Sequence, residues 1–156
     1  MIDPDDPLDL HRVDTVRQDA TAALGVFFDP RIVDRVSDCI VANVIDGVVG
    51  DGIVYRDLIR ASGVPSWAAH IGLLGPILAL VSVGSYKRDA MLLSALTRAT
   101  RDRVPPTDEF CLMLEQLGLV SSRASREECL EMWDHHWKKV ISQVESHNRD
   151  GRNGRR

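Results

Sequence analysis

The run Tyr55-Arg56-Asp57-Leu58-Ile59-Arg60-Ala61-Ser62-Gly63-Val64-Pro65-Ser66-Trp67 holds the residues best suited to recognition chemistry in this chain. A short helix over Tyr55–Ala61, a turn carrying Gly63 and a second helix capped by Ser66 and starting at Trp67 predict a helix-turn-helix. In that geometry the amino-terminal end of the second helix meets base edges in the major groove, through Ser66, Trp67 and His70. Arg56, Arg60, Lys87, Arg88 and the basic turn residues Arg101 and Arg103 are the matching phosphate contacts. Phosphate contacts give most of the affinity and fix register, whereas base contacts specify. The same two helices also satisfy a plainer role, a corner packed into the core with Tyr55, Leu58, Ile71 and Leu74 inward.

The segment resembles the DNA-binding part of alkylguanine-DNA alkyltransferases and their alkyltransferase-like relatives. The residues that carry the likeness are Ile53-Val54-Tyr55-Arg56-Asp57-Leu58, Gly63-Val64-Pro65 and Pro65-Ser66-Trp67-Ala68-Ala69-His70-Ile71-Gly72. The resemblance implies a winged-helix scaffold, with the strand and basic turn after the second helix as the wing. It does not extend to alkyl transfer. Ala69 stands where that family places the arginine that enters the duplex, and no Pro-Cys-His-Arg follows. A longer span, from Ile53 through Leu73-Leu74-Gly75-Pro76-Ile77-Leu78 to Leu93-Ser94-Ala95-Leu96, Pro106 and Phe110, is similar to helical domains of bacterial and mobile-element proteins. That similarity names no activity.

Other reactive residues do not assemble into a site. Glu128, Cys129, Glu131, Asp134, His135 and His136 lie close in sequence, and Glu131 and His135 share a helix face at i,i+4. Metal sites need three or four convergent ligands and one helix supplies two, so a polar helix face is expected and no cofactor. Trp133 and Trp137, one turn apart, read as core anchors of the last helix or, if exposed, as a docking stripe. Gly47-Val48-Val49-Gly50-Asp51-Gly52 lacks the lysine and preceding strand of a phosphate loop. No nucleophile–His–Asp grouping emerges, and the expectation is a protein that is not an enzyme. Cys39, Cys111 and Cys129, odd in number and irregular in spacing, read as reduced core cysteines.

The elements that must position these residues follow from apolar spacing. Asp6-Pro7 opens a first helix carrying Leu10, Val13, Val16, Ala20 and Leu24, stopped by Gly25; Asp29-Pro30 opens a second, with Val36 and Ile40 on its stripe. The break over 46–52 precedes the winged-helix-like region, 53–118. There the helix from Trp67 runs through Leu80 with a bend at Gly75-Pro76, Ser82–Asp89 reads as a loop, and Ala90–Arg98 as a strand. Thr107 caps a helix ended by Gly118, and Ser125 with Glu128 forms a capping box for a final helix over 125–147. The basic tail, 148–156, reads as disordered. The fold class is mainly α, a helical bundle with a small β wing, in one domain over 1–147.

Composition narrows the partners. Residues 1–53 carry eleven Asp against four Arg, while 54–104 carry seven basic against three acidic side chains, a local positive centre in a chain of net charge -4. The longest mainly apolar stretch, Ile71–Val83, falls short of the roughly 20 residues that span a bilayer, and the acidic amino-terminus is unlike a signal peptide. A cytoplasmic protein is expected, and an excess of Arg over Lys and of Asp over Glu suggests a bacterial or phage source. Two functions remain open. One is a DNA-binding module reading through the helix at Ser66 and a basic wing. The other is a non-enzymatic adaptor, or homodimer, docking through its acidic amino-terminal or Trp-bearing carboxy-terminal helix.

Overall fold

The computed structural model describes residues 7–45, 53–70, 72–98 and 108–153. The described residues are mainly helical, with one two-stranded sheet among them. In order come α1 (Leu10–Leu24), α2 (Pro30–Ile45), β1 (Ile53–Val54), α3 (Tyr55–Ser62), α4 (Ser66–His70), α5 (Leu74–Asp89), β2 (Thr97–Arg98), α6 (Asp108–Gln116) and α7 (Arg126–Asn153). A 3-10 turn at Gly25–Phe27 follows α1, and another at Leu93–Leu96 leads into β2.

The first two helices form where their apolar stripes demand. Val13, Val16, Ala20 and Leu24 of α1 and Val36 and Ile40 of α2 are buried. The cap of α1 is Asp9 and not Asp6, because the Asp9 carboxylate accepts from the His11 amide at 2.9 Å. Asp29 does the same for α2, from the Arg31 amide at 2.9 Å, with Pro30 first in the helix, where its missing N–H leaves nothing unsatisfied.

From α3 to α5 the chain makes two reversals. Gly63 takes a left-handed φ of 77° and returns its N–H to Ile59, which ends α3. Gly72, at φ 80°, allows the Leu73 N–H to reach the Ala68 carbonyl at 2.9 Å. That six-to-one bond closes α4, so the long helix expected from Trp67 is two helices. Pro76 consequently sits in the first turn of α5, where no intrahelical donor is required of it, and there is no bend to explain.

Residues 82–89, expected as a loop, continue α5 to Asp89. Ser82 and Ser85 are buried in that helix and face the 3-10 turn. The two hydroxyls Ser82 Oγ and Ser94 Oγ lie 2.5 Å apart, Ser85 Oγ donates to the Met91 carbonyl at 2.8 Å, and the Leu93 amide donates to Ser85 Oγ at 3.1 Å. Buried polar groups must be paired, and the serines satisfy the backbone of the turn in place of a β ladder. This is why Ala90–Arg98 is not a strand. Leu92, Leu93, Ala95 and Leu96 are all buried with no alternation, and only Thr97–Arg98 pairs, in parallel, with Ile53–Val54. The strands are joined by a crossover through α3, α4 and α5, as a parallel pair requires.

Two apolar clusters fill the interior. One joins the end of α1, α2, α3, α4 and the start of α5. The other joins the start of α1, the end of α5, α6 and α7. The last helix crosses both, and the Trp133 indole N–H pins it by donating to the Ala95 carbonyl at 2.8 Å. The Ser125 hydroxyl accepts from the Glu128 amide at 3.2 Å and starts α7 as expected. The helix then continues to Asn153, through residues whose polar composition had suggested a tail.

Candidate interaction surface at the hairpin tip

Between α1 and α2 the chain places Val26, Phe27 and Phe28 in a turn. Gly25, at φ 54°, stops α1 and leaves these three apolar side chains on a 3-10 turn with no buried face to offer them. Val26 is 94% exposed and Phe27 49% exposed. The partial cover comes from α4, whose Trp67, itself 47% exposed, meets Phe27 edge-to-face with ring centroids 5.1 Å apart and planes at 63°. This is a favoured aromatic geometry, and it fixes the tip of the hairpin against the start of α4.

A groove of about 400 Å³ opens beside this pair. Phe27, Phe28 and Trp67 form its walls, and the buried Leu24, Val64, Leu73 and Ile77 its floor. Its size and apolar lining suit a bulky apolar group with a few polar contacts at the edge. Those contacts are Asp29 and Arg31, whose carboxylate and guanidinium lie 3.2 Å apart. Hydrogen bonds from the Arg31 side chain and then its amide hold the Asp29 carboxyl below the usual carboxylate range. One turn on, Arg35 Nε donates to the Arg31 carbonyl at 3.4 Å. A side chain at Gly63 would place its Cβ 3.5 Å from Arg35 Nη1, so the guanidinium lies over the α3–α4 turn. Among the described residues no carboxylate stands within ion-pair distance of Arg35.

Of the residues expected to read DNA, the described ones fall on three helices. Ser66 and Trp67 are exposed at the start of α4, and His70 belongs to the same helix, its side chain outside the described set. Arg56 and Arg60, both exposed, share a face of α3, with Arg56 3.9 Å from the Asp57 carboxylate. Lys87 and Arg88 occupy the last turn of α5, about 20 Å along that helix from the α4 end at 1.5 Å per residue. Lys87 is there tied to Asp14 of α1 at 2.9 Å, which lowers the Asp14 pKa. Arg101 and Arg103 lie outside the described residues. The second helix itself has five residues, roughly 7.5 Å of axis.

The clusters on α7 have other roles. Trp133 and Trp137 are half-buried, with centroids 5.9 Å apart, and pack against the core. His136, one position on from the Glu131–His135 face, is only 2% exposed and meets the His135 ring edge-on at 5.3 Å. Among the described residues no three His, Cys, Asp or Glu side chains converge as metal ligands, and no helix is long and apolar enough to cross a membrane.

Val26, Phe27, Phe28 and Arg35 escape a reading based on helical periodicity. The usable signal was the run Val26-Phe27-Phe28 lodged between a helix-stopping Gly25 and a helix-opening Asp29-Pro30, because three apolar residues in a surface turn need a reason. The chain matches no family model, no curated protein and no solved structure.

Proposed function

We propose that the chain is a non-enzymatic protein-interaction module whose hairpin tip captures a short amphipathic segment of a protein partner. The observation that carries this reading is the half-exposed Phe27–Trp67 pair walling an apolar groove of about 400 Å³. Large aromatic side chains, Trp above all, are enriched among the residues that carry binding energy. The occupant is a bulky apolar side chain flanked by carboxylates. Asp29 is already engaged by Arg31, which leaves Arg35, over the adjoining turn, as the cation that meets an acidic flank.

Fluorescein-labelled amphipathic peptides with a central Trp or Leu, flanked by glutamates or by lysines, test the assignment by anisotropy. The acidic-flanked peptide binds the intact chain, the lysine-flanked one binds more weakly, and Trp67→Ala costs the former at least about tenfold, or about 1.4 kcal/mol. No binding at millimolar peptide, or affinity indifferent to Trp67→Ala, sinks the proposal.

A second reading rests on Arg35 over the α3–α4 turn, with Arg56 and Arg60 outward on α3. Exposed cations of this kind are what a DNA-binding module would present to phosphates. A random duplex that binds, loses affinity steeply with salt and is released by Arg35→Ala with Arg60→Ala would replace the first reading by this one.

A further inference from the structure

The first residue of α1 is an apolar side chain that the fold leaves in solvent. Leu10 is 65% exposed, whereas Val13, Val16, Ala20 and Leu24 further along the helix are buried. It joins neither apolar cluster. Its neighbours are acidic. Asp9, exposed, caps the helix through Oδ1, and Asp5 and Asp6 precede it in the sequence. Residues 1–14 hold five Asp against one Arg. At the other end of the same helix Leu24 lines the groove, where Arg31 is paired with Asp29 and Arg35 lies over the adjoining turn. Leu10 and Leu24 bound a helix of 15 residues. Their separation is about 21 Å at 1.5 Å per residue, so Leu10 cannot enter the groove of its own copy. Around the helix the two positions differ by only about 40° at 100° per residue, which sets the exposed leucine and the groove on one side of α1.

We infer that the segment captured by the groove is the amino-terminal end of α1 in a second copy of this chain, an inference that rests on the groove being a docking site. Two copies associate about a two-fold axis with their α1 helices antiparallel. Each inserts Leu10 into the other's groove, against Phe27 and Trp67, while the acidic end of its helix meets Arg35. Donor and acceptor sit at opposite ends of one helix, so the antiparallel placement makes both contacts at once and closes the assembly at two copies. Leu10 has the properties the groove asks of its occupant, a bulky apolar side chain with carboxylates beside it. The opposed charges of the two helix ends fix the direction in which the copies meet.

Sedimentation velocity of the full chain from about 1 to about 300 µM tests the dimer, because self-association follows concentration. The wild type moves from the monomer mass towards twice that mass and no further. Leu10→Asp and Trp67→Ala each weaken dimerisation at least about tenfold. Mixing the two variants restores part of the association, since the intact groove of one copy still accepts the intact Leu10 of the other. Leu10→Ser stands in should Leu10→Asp not fold. A monomer throughout the range, a dimer indifferent to either substitution, no gain on mixing, or growth beyond two copies overturns the inference. The acidic-flanked peptide keeps this inference apart from the reading beneath it. A chain that stays monomeric yet binds the peptide through Trp67 loses the dimer and keeps the groove. A chain that does neither loses both, and a dimer that the peptide dissociates supports both.

Discussion

Two aromatic pairs mark opposite solutions to the same side-chain chemistry. At the hairpin tip Phe27 and Trp67 meet edge-to-face across a contact between two elements, each about half in solvent. On α7 Trp133 and Trp137 stand one turn apart on a single helix, tilted at 32°, half-buried against the core. The α7 pair has a polar tether, the Trp133 N–H on the Ala95 carbonyl, and the tip pair is bordered by a groove. An aromatic with its polar atom satisfied and its faces covered serves the fold, whereas one that walls an open groove is available to a partner. On the proposed reading, the difference gives stability to α7 and recognition to the tip.

The largest expected effect breaks the comparison on the α7 side. Trp133→Ala removes a large half-buried side chain and orphans the Ala95 carbonyl, and at somewhat less than the usual cost of truncating a fully buried aromatic it destabilises the chain by about 2–3 kcal/mol. Trp133→Phe keeps most of the packing and isolates the hydrogen bond, at about 1–3 kcal/mol. Urea unfolding monitored by circular dichroism measures both. A loss below about 1 kcal/mol for Trp133→Ala would mean that α7 is held by its other contacts and that the pair is no anchor.

The tip substitution is milder for stability. Trp67→Ala gives up an aromatic contact worth about 0.5–1.5 kcal/mol and little burial, so the urea midpoint moves slightly while peptide affinity falls. A stability loss as large as that of Trp133→Ala would make the tip a core element and remove the distinction between the regions.

The unequal legibility of these regions in the sequence has the same origin. Trp133 and Trp137 sit at helical spacing, and their fate as core follows from local periodicity. The α1 and α2 stripes, the Gly63 turn and the Ser125 cap are local in the same way. What escaped depends on contacts between distant residues. Ser82 and Ser85 resemble loop residues until Ser94 and the backbone at Met91 and Leu93 are brought against them. The stretch Met91–Leu96 is apolar throughout because it is buried throughout, so no alternation existed to read. His136 is polar by type, yet it falls on the helical stripe of Met132 and Val140 and the core closes over it. The groove needed α4 to fold back over the hairpin tip, and nothing in the spacing of residues 26–28 or of Trp67 encodes that approach.

The smallest expected effect sharpens the comparison through pH. The Asp29 carboxyl at the groove rim is held low, first by its hydrogen bond with the Arg31 side chain and then by the Arg31 amide. Its folded-state pKa lies below the unfolded value of about 3.9, so its contribution is complete above that value. The contribution is lost as pH falls through the folded pKa. Amide chemical shifts followed from pH 6 to pH 2 should show the Arg31 N–H moving with a midpoint below the ordinary carboxylate value. The Trp133 indole N–H, hydrogen-bonded to a carbonyl that does not titrate, should stay in place over that step. Asp29→Asn abolishes the Arg31 transition and leaves the indole signal where it was. A midpoint at or above the ordinary value would detach Asp29 from Arg31 and free its carboxylate to repel an acidic segment. Movement of both signals together would instead report loss of the whole fold in acid, and the rim and the α7 anchor would then no longer be separable by pH.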